Sequence, residues 1–144
     1  NDNEPTQVVL SGHKTALDRV PEAGKAYGVR RAVPLPVSAP FHCALMAPAA
    51  REFAERVAVT PLRTPHTLVI GNVGATALTT ADAIRAELVA QLTSPVRWTE
   101  SVRRMIAEGA NRFVELGPGT VLAGLVKRIN ANVEVLNVAK PEDI

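Results

Sequence analysis

Between Phe113 and Val138 the sequence alternates in a way that few folds can use. Phe113-Val114-Glu115-Leu116 reads as a strand and Gly117-Pro118-Gly119 as a sharp turn. Val121, Leu122, Leu125, Val126 and Ile129 stripe a helix, and Val133 through Val138 reads as a second strand. Two strands of one sheet joined through a helix run parallel. Upstream, Leu68-Val69-Ile70 is a continuous apolar run of the kind buried on both faces of a parallel sheet. Two helices separate it from Phe113. One is striped by Ile84, Leu88 and Leu92, with Thr79 or Thr80 as N-cap. The other is striped by Trp98, Val102, Met105 and Ile106 and ends near Gly109. The second half therefore predicts an α/β layer with parallel strands.

The first part reads differently. Thr6 to Leu10 predicts a strand closed by Ser11-Gly12, and His13 to about Tyr27 predicts a helix broken near Pro21 and ended by Gly28. Arg31-Ala32-Val33-Pro34-Leu35-Pro36-Val37 has a strand period, with two prolines that confine it to an edge. Ser38 to Cys43 reads as a loop. The helix after it carries Met46, Ala49, Ala50, Phe53 and Val57 on one face.

Composition narrows the function classes. Of 144 residues 47% are apolar and 21% charged, which suits a folded domain. Aromatics at 3% are too few for a base-stacking platform, and a net charge of +2 is too balanced for a dedicated nucleic-acid binder. The single cysteine, Cys43, excludes an intrachain disulfide framework and points to the reducing cytoplasm. No uncharged apolar run approaches bilayer-spanning length, so no membrane partner is expected. The start at Asn1-Asp2-Asn3, without Met or signal pattern, suggests a piece of something longer.

Few residues could carry chemistry. His13 and His66 sit in turns and read as surface residues; no histidine pair has metal-ligand spacing, so no metal site is expected. His42 follows a proline-bounded loop and precedes a helix, where the dipole would disfavour its charged form. The residues alone favour a structural loop histidine there and leave a general base open. Cys43 reads as an inert thiol, since adjacent side chains usually point apart. Gly117-Pro118-Gly119 could receive an anion on its backbone N–H groups or simply permit a tight turn. No Gly-x-Ser-x-Gly elbow is present.

Several stretches in order resemble the malonyl-CoA:acyl carrier protein transacylases. They begin with Asn1 to Pro5, Ser11-Gly12-His13 and Pro34-Leu35-Pro36-Val37-Ser38. Pro40-Phe41-His42-Cys43-Ala44-Leu45-Met46 and Gly71-Asn72-Val73 follow. Next come Leu88-Val89-Ala90-Gln91-Leu92 and Pro95-Val96-Arg97-Trp98-Thr99, then Glu115-Leu116-Gly117-Pro118-Gly119 and Val121 to Ile129. The resemblance implies the C-terminal half of such an enzyme. Residues 1–37 would be the later part of a ferredoxin-like small subdomain. Residues 38–144 would be the C-terminal part of an α/β hydrolase-like acyltransferase subdomain.

The activity implied is malonyl transfer from coenzyme A to the phosphopantetheine thiol of acyl carrier protein, through a serine ester and without a cofactor. By resemblance His42 is the general base, and Gln91 offers the main-chain carbonyl that orients it. Phe41 would crowd a branched acyl group, and Asn3 would lie near the cleft. Malonyl-CoA, acyl carrier protein and the missing N-terminal half are the partners implied. Arg30, Arg31, Lys127 and Arg128 are candidates for the basic face that an acidic carrier needs. The elbow serine and the carboxylate-gripping arginine of the family have no counterpart in this sequence, so the chain alone is expected to be inactive. An acyltransferase domain of a polyketide synthase and a non-catalytic binding module of the same fold are the competing readings.

Overall fold

A computed structural model describes residues 1–143. Its strands and helices run β1 (Asp2–Glu4), β2 (Gln7–Val8), α1 (Lys14–Leu17), α2 (Val20–Ala23), α3 (Ala47–Val59), β3 (Val69–Ile70) and β4 (Ala77–Leu78). They continue with α4 (Ala81–Gln91), α5 (Trp98–Ala107), β5 (Arg112–Leu116), α6 (Val121–Ile129) and β6 (Glu134–Val138). Single 3₁₀ turns occupy Gly24–Tyr27, Ala44–Met46 and Pro141–Asp143.

The C-terminal unit folds as its alternation predicts. β5 and β6 pair in parallel with α6 as crossover, in the register Phe113↔Val135, Val114↔Leu136 and Leu116↔Val138. Strand side chains alternate between faces, so Phe113 and Val135 turn one way and Val114 and Leu136 the other. The first pair packs against a core of Val102, Val126 and Val133, with Trp98, Met105, Ile106 and Ile129 around it. Val102 is completely buried. The second pair is exposed, together with Leu116 and Leu122.

The turn between β5 and α6 needs its glycines. Gly117 and Gly119 have φ of 130° and 88°, in the left-handed region that side chains resist. Asn137 on β6 ties the turn down, donating from Nδ2 to the carbonyls of Gly119 and Gly117 at 2.7 and 3.3 Å. The Glu115 carboxylate accepts from Leu122 N and Ala123 N at 3.0 and 2.9 Å. An acidic side chain thus caps α6, and the anion-binding alternative for this turn is not supported.

Four expectations need correction. Residues 31–37 form no strand: Val37 N–H donates to Leu35 O at 2.9 Å in a three-residue turn, and Val33, Leu35 and Val37 are exposed. Pro34 and Pro36 lack the N–H groups a ladder needs, and no strand lies beside them among the described residues. The apolar run at 68–70 forms only a two-residue strand, paired antiparallel with β4, and Leu68 is exposed. The N-terminal strand expected over residues 6–10 is shorter, Gln7–Val8, and pairs antiparallel with β1 across a Pro5-Thr6 turn. The helix expected over residues 13–27 is three short pieces, with the break just before Pro21 and Gly28 ending the last at φ 79°.

β1 packs on α5 and α6. Asp2 N donates to Val96 O at 2.9 Å, and Thr99 Oγ1 donates to Asp2 Oδ1 at 2.8 Å. Glu4 is buried and accepts from Thr6 N at 2.8 Å, while Arg128 approaches it at 3.5 Å.

Candidate active site

His42 sits in the loop before α3, in an unusual backbone state. Its φ is 64°, which costs a residue with a Cβ about 1–2 kcal/mol. Two contacts with the end of α4 hold it there. The backbone N–H of His42 donates to Leu92 O at 3.2 Å, and ring Nδ1 lies 2.9 Å from Gln91 O. A carbonyl can only accept, so Nδ1 carries the proton in that bond. The neutral ring then has its lone pair on Nε2, which has no hydrogen-bond partner among the described residues.

Gln91 is suited to this role by position. It is the last residue of α4, where carbonyls have no partner within the helix. The α4 helix is started by Thr80, whose hydroxyl accepts from Ala83 N at 3.1 Å. The helix end that touches the imidazole is therefore the C-terminus of α4 and not the start of α3, on which the dipole argument from sequence relied. A 3₁₀ turn separates the ring from α3.

The other predicted residues are placed as follows. Phe41 adjoins His42 and is half exposed, at 50%. Asn3 lies half-buried in β1, and no hydrogen bond joins it to the His42 loop among the described residues. Cys43 Sγ donates to Pro40 O at 3.2 Å, so it does not pair with the imidazole. Arg30 and Arg31 are exposed. Lys127 donates to Val133 O at 2.7 Å and Arg128 faces Glu4, so both serve the fold. Among the described residues no group of three His, Cys, Asp or Glu side chains could hold a metal.

Sequence reasoning missed Asn72. Its Nδ2 donates to Gln91 Oε1 at 2.8 Å, and its carbonyl accepts from Arg97 N–H at 2.8 Å. Nothing local in Gly71-Asn72-Val73 signals that it reaches the end of α4.

No family model matches the chain. Individual proteins do. The malonyl CoA-acyl carrier protein transacylase of Escherichia coli strain K12 is 51% identical over 129 residues, covering 90% of this chain and 42% of the relative. The crystal structure of an acyl carrier protein S-malonyltransferase from Vibrio cholerae superposes with a TM-score of 0.86 at 45% identity, over 92% of this chain and 43% of that one. A malonyl-transacylase in complex with its type II PKS acyl-carrier protein matches with a TM-score of 0.85 at 42% identity, over 92% and 43%.

The mixed α/β fold and these likenesses place the chain in the acyltransferase class. Within that class it belongs to the malonyl CoA-acyl carrier protein transacylase family. The chain spans less than half the length of the curated relatives it matches.

Proposed function

We propose that this chain supplies the histidine side of an enzyme that moves malonyl from coenzyme A to the phosphopantetheine thiol of acyl carrier protein. The observation that supports it most is the 2.9 Å contact between His42 Nδ1 and Gln91 O, which leaves Nε2 free to accept a proton. In the first half-reaction Nε2 takes the proton of an elbow serine as its oxygen attacks the malonyl thioester carbon. The carbon–sulfur bond breaks, and the departing coenzyme A sulfur takes the proton back from the imidazolium. In the second half Nε2 takes the proton of the carrier's thiol, the sulfur attacks the serine ester, and the serine oxygen leaves with that proton. No cofactor enters either half.

Gln91 acts here through its main chain, as the group that fixes the ring's tautomer. A neutral carbonyl does this without the charge of an aspartate. Phe41, beside the base, is the acyl-selectivity residue in this reading, and Asn3 borders the cleft. Residues 1–37 belong to the ferredoxin-like subdomain and residues 38–144 to the α/β hydrolase-like one, with β1 resting against α5 and α6. The elbow serine comes from polypeptide that this sequence does not contain, the N-terminal half in the family's order. A reducing, cytoplasmic setting suits the one free thiol, Cys43.

The test combines the chain with a separately made polypeptide bearing the elbow serine, then adds malonyl-CoA and acyl carrier protein. The pair should form malonyl-carrier protein, and the chain alone none. His42→Ala should lower the rate by about 10²–10⁴, the range for loss of a general base. Undiminished transfer by His42→Ala would remove the assignment.

A further inference from the structure

We propose that Asn72 is a positioning residue for His42, acting through the side chain of Gln91. The inference rests on the general-base reading of His42 and adds a residue to it. Gln91 ends α4, and the last turn of a helix frays unless something holds it. A carbonyl that must orient a ring by one hydrogen bond cannot fray. The half-buried Gln91 borders a cleft of about 180 Å³ between α4 and the β3–β4 hairpin, which leaves that side open. What fixes it is the 2.8 Å bond from Asn72 Nδ2 to Gln91 Oε1.

Asn72 is itself anchored on both sides. Val73 N donates to Glu87 Oε1 at 2.8 Å, which ties the turn to α4. A Cβ at Gly71 would fall 2.7 Å from that carboxylate, so residue 71 must be glycine for Glu87 to lie there. On the other side Ser101 Oγ shares its proton between Arg97 O at 2.9 Å and Gly71 O at 3.2 Å, and Arg97 N donates to Asn72 O at 2.8 Å. Ser101 is buried beside Val102, so the turn is referenced to the core. The path from core to imidazole runs Ser101 and Arg97, Asn72, Gln91, His42.

Two variants break this link from opposite ends. Asn72→Ala removes the donor. Gln91→Leu removes the acceptor and keeps the main-chain carbonyl that faces His42. The first readout is ¹⁵N NMR of the His42 ring in this chain, which needs no turnover. Wild type should show the Nδ1–H tautomer; both variants should shift toward the Nε2–H form that free imidazole side chains favour. The second readout is malonyl transfer in the combined assay, where each variant should lower kcat roughly tenfold with KM for malonyl-CoA unchanged. The double variant should be no slower than either single, because both remove one bond. Asn72→Asp should recover most of the rate, since the Gln91 amide can turn and donate. Wild-type tautomer and rate in both single variants, or losses that multiply in the double, would overturn the role of Asn72. Wild-type rate in His42→Ala would instead overturn the general-base reading, while the NMR result would still decide the Asn72 link.

Discussion

Arg97 and Glu100 contribute a small, pH-dependent part of the stability of this chain. Arg97 immediately precedes α5, and its guanidinium hydrogen-bonds the Glu100 carboxylate in the first helical turn. That bond holds the Glu100 pKa below its ordinary value of 4.5, against a smaller opposing effect of burial, and raises that of Arg97. A lowered carboxylate pKa in the folded state means that the unfolded chain binds the proton more tightly. The pair's contribution is therefore present above the ordinary value and disappears as pH falls through the lower folded one. Both side chains are nearly half exposed, so the effect is small. An NMR titration should place the Glu100 midpoint below normal and return it toward normal in Arg97→Met. Val102 carries more weight. It is fully buried at the centre of the core, and Val102→Ala should lose about 1–3 kcal/mol in urea unfolding at pH 7.

At the scale of elements, α4 is the one the candidate site depends on, because its end carries the carbonyl that faces His42. Thr80→Ala should cost about 1 kcal/mol by removing the N-cap. Far-UV circular dichroism during thermal unfolding would report it, while the NMR tautomer of His42 should stay as in wild type, since the C-terminal bonds are intact. The elements most readable in sequence were those with full helical or strand periods: α3 to α6, β5 and β6. Thr80 as cap and the turn at residues 117–119 followed from local chemistry. The segments that misled had a valid pattern and no partner. Val33, Leu35 and Val37 alternate like a strand, but Pro34 and Pro36 remove the donors that pairing requires. Leu68 to Ile70 looks like a buried parallel strand, yet β4 takes its edge from the nearest stretch of chain. At the site, the nearness of His42 to Gln91 came only from family resemblance. Asn72 escaped because a hydrogen bond across 19 residues leaves no periodic trace.

For the molecule as a whole, the open side of the β5–β6 pair matters most. Parallel strands are normally covered on both faces, yet Val114, Leu116 and Leu136 are exposed here. The chain also spans less than half the length of its curated relatives. Sedimentation of the isolated chain should show concentration-dependent self-association, reduced in a Val114→Glu, Leu136→Lys double variant. Arg30→Glu with Arg31→Glu should raise KM for carrier protein in the combined assay and leave that for coenzyme A thioester unchanged. The left-handed backbone at His42 sets foldability against chemistry at one position. Glycine there would relax the main chain and delete the imidazole in the same step. His42→Gly should therefore raise the midpoint of urea unfolding even as it removes the proposed base, so that stability and transfer move in opposite directions.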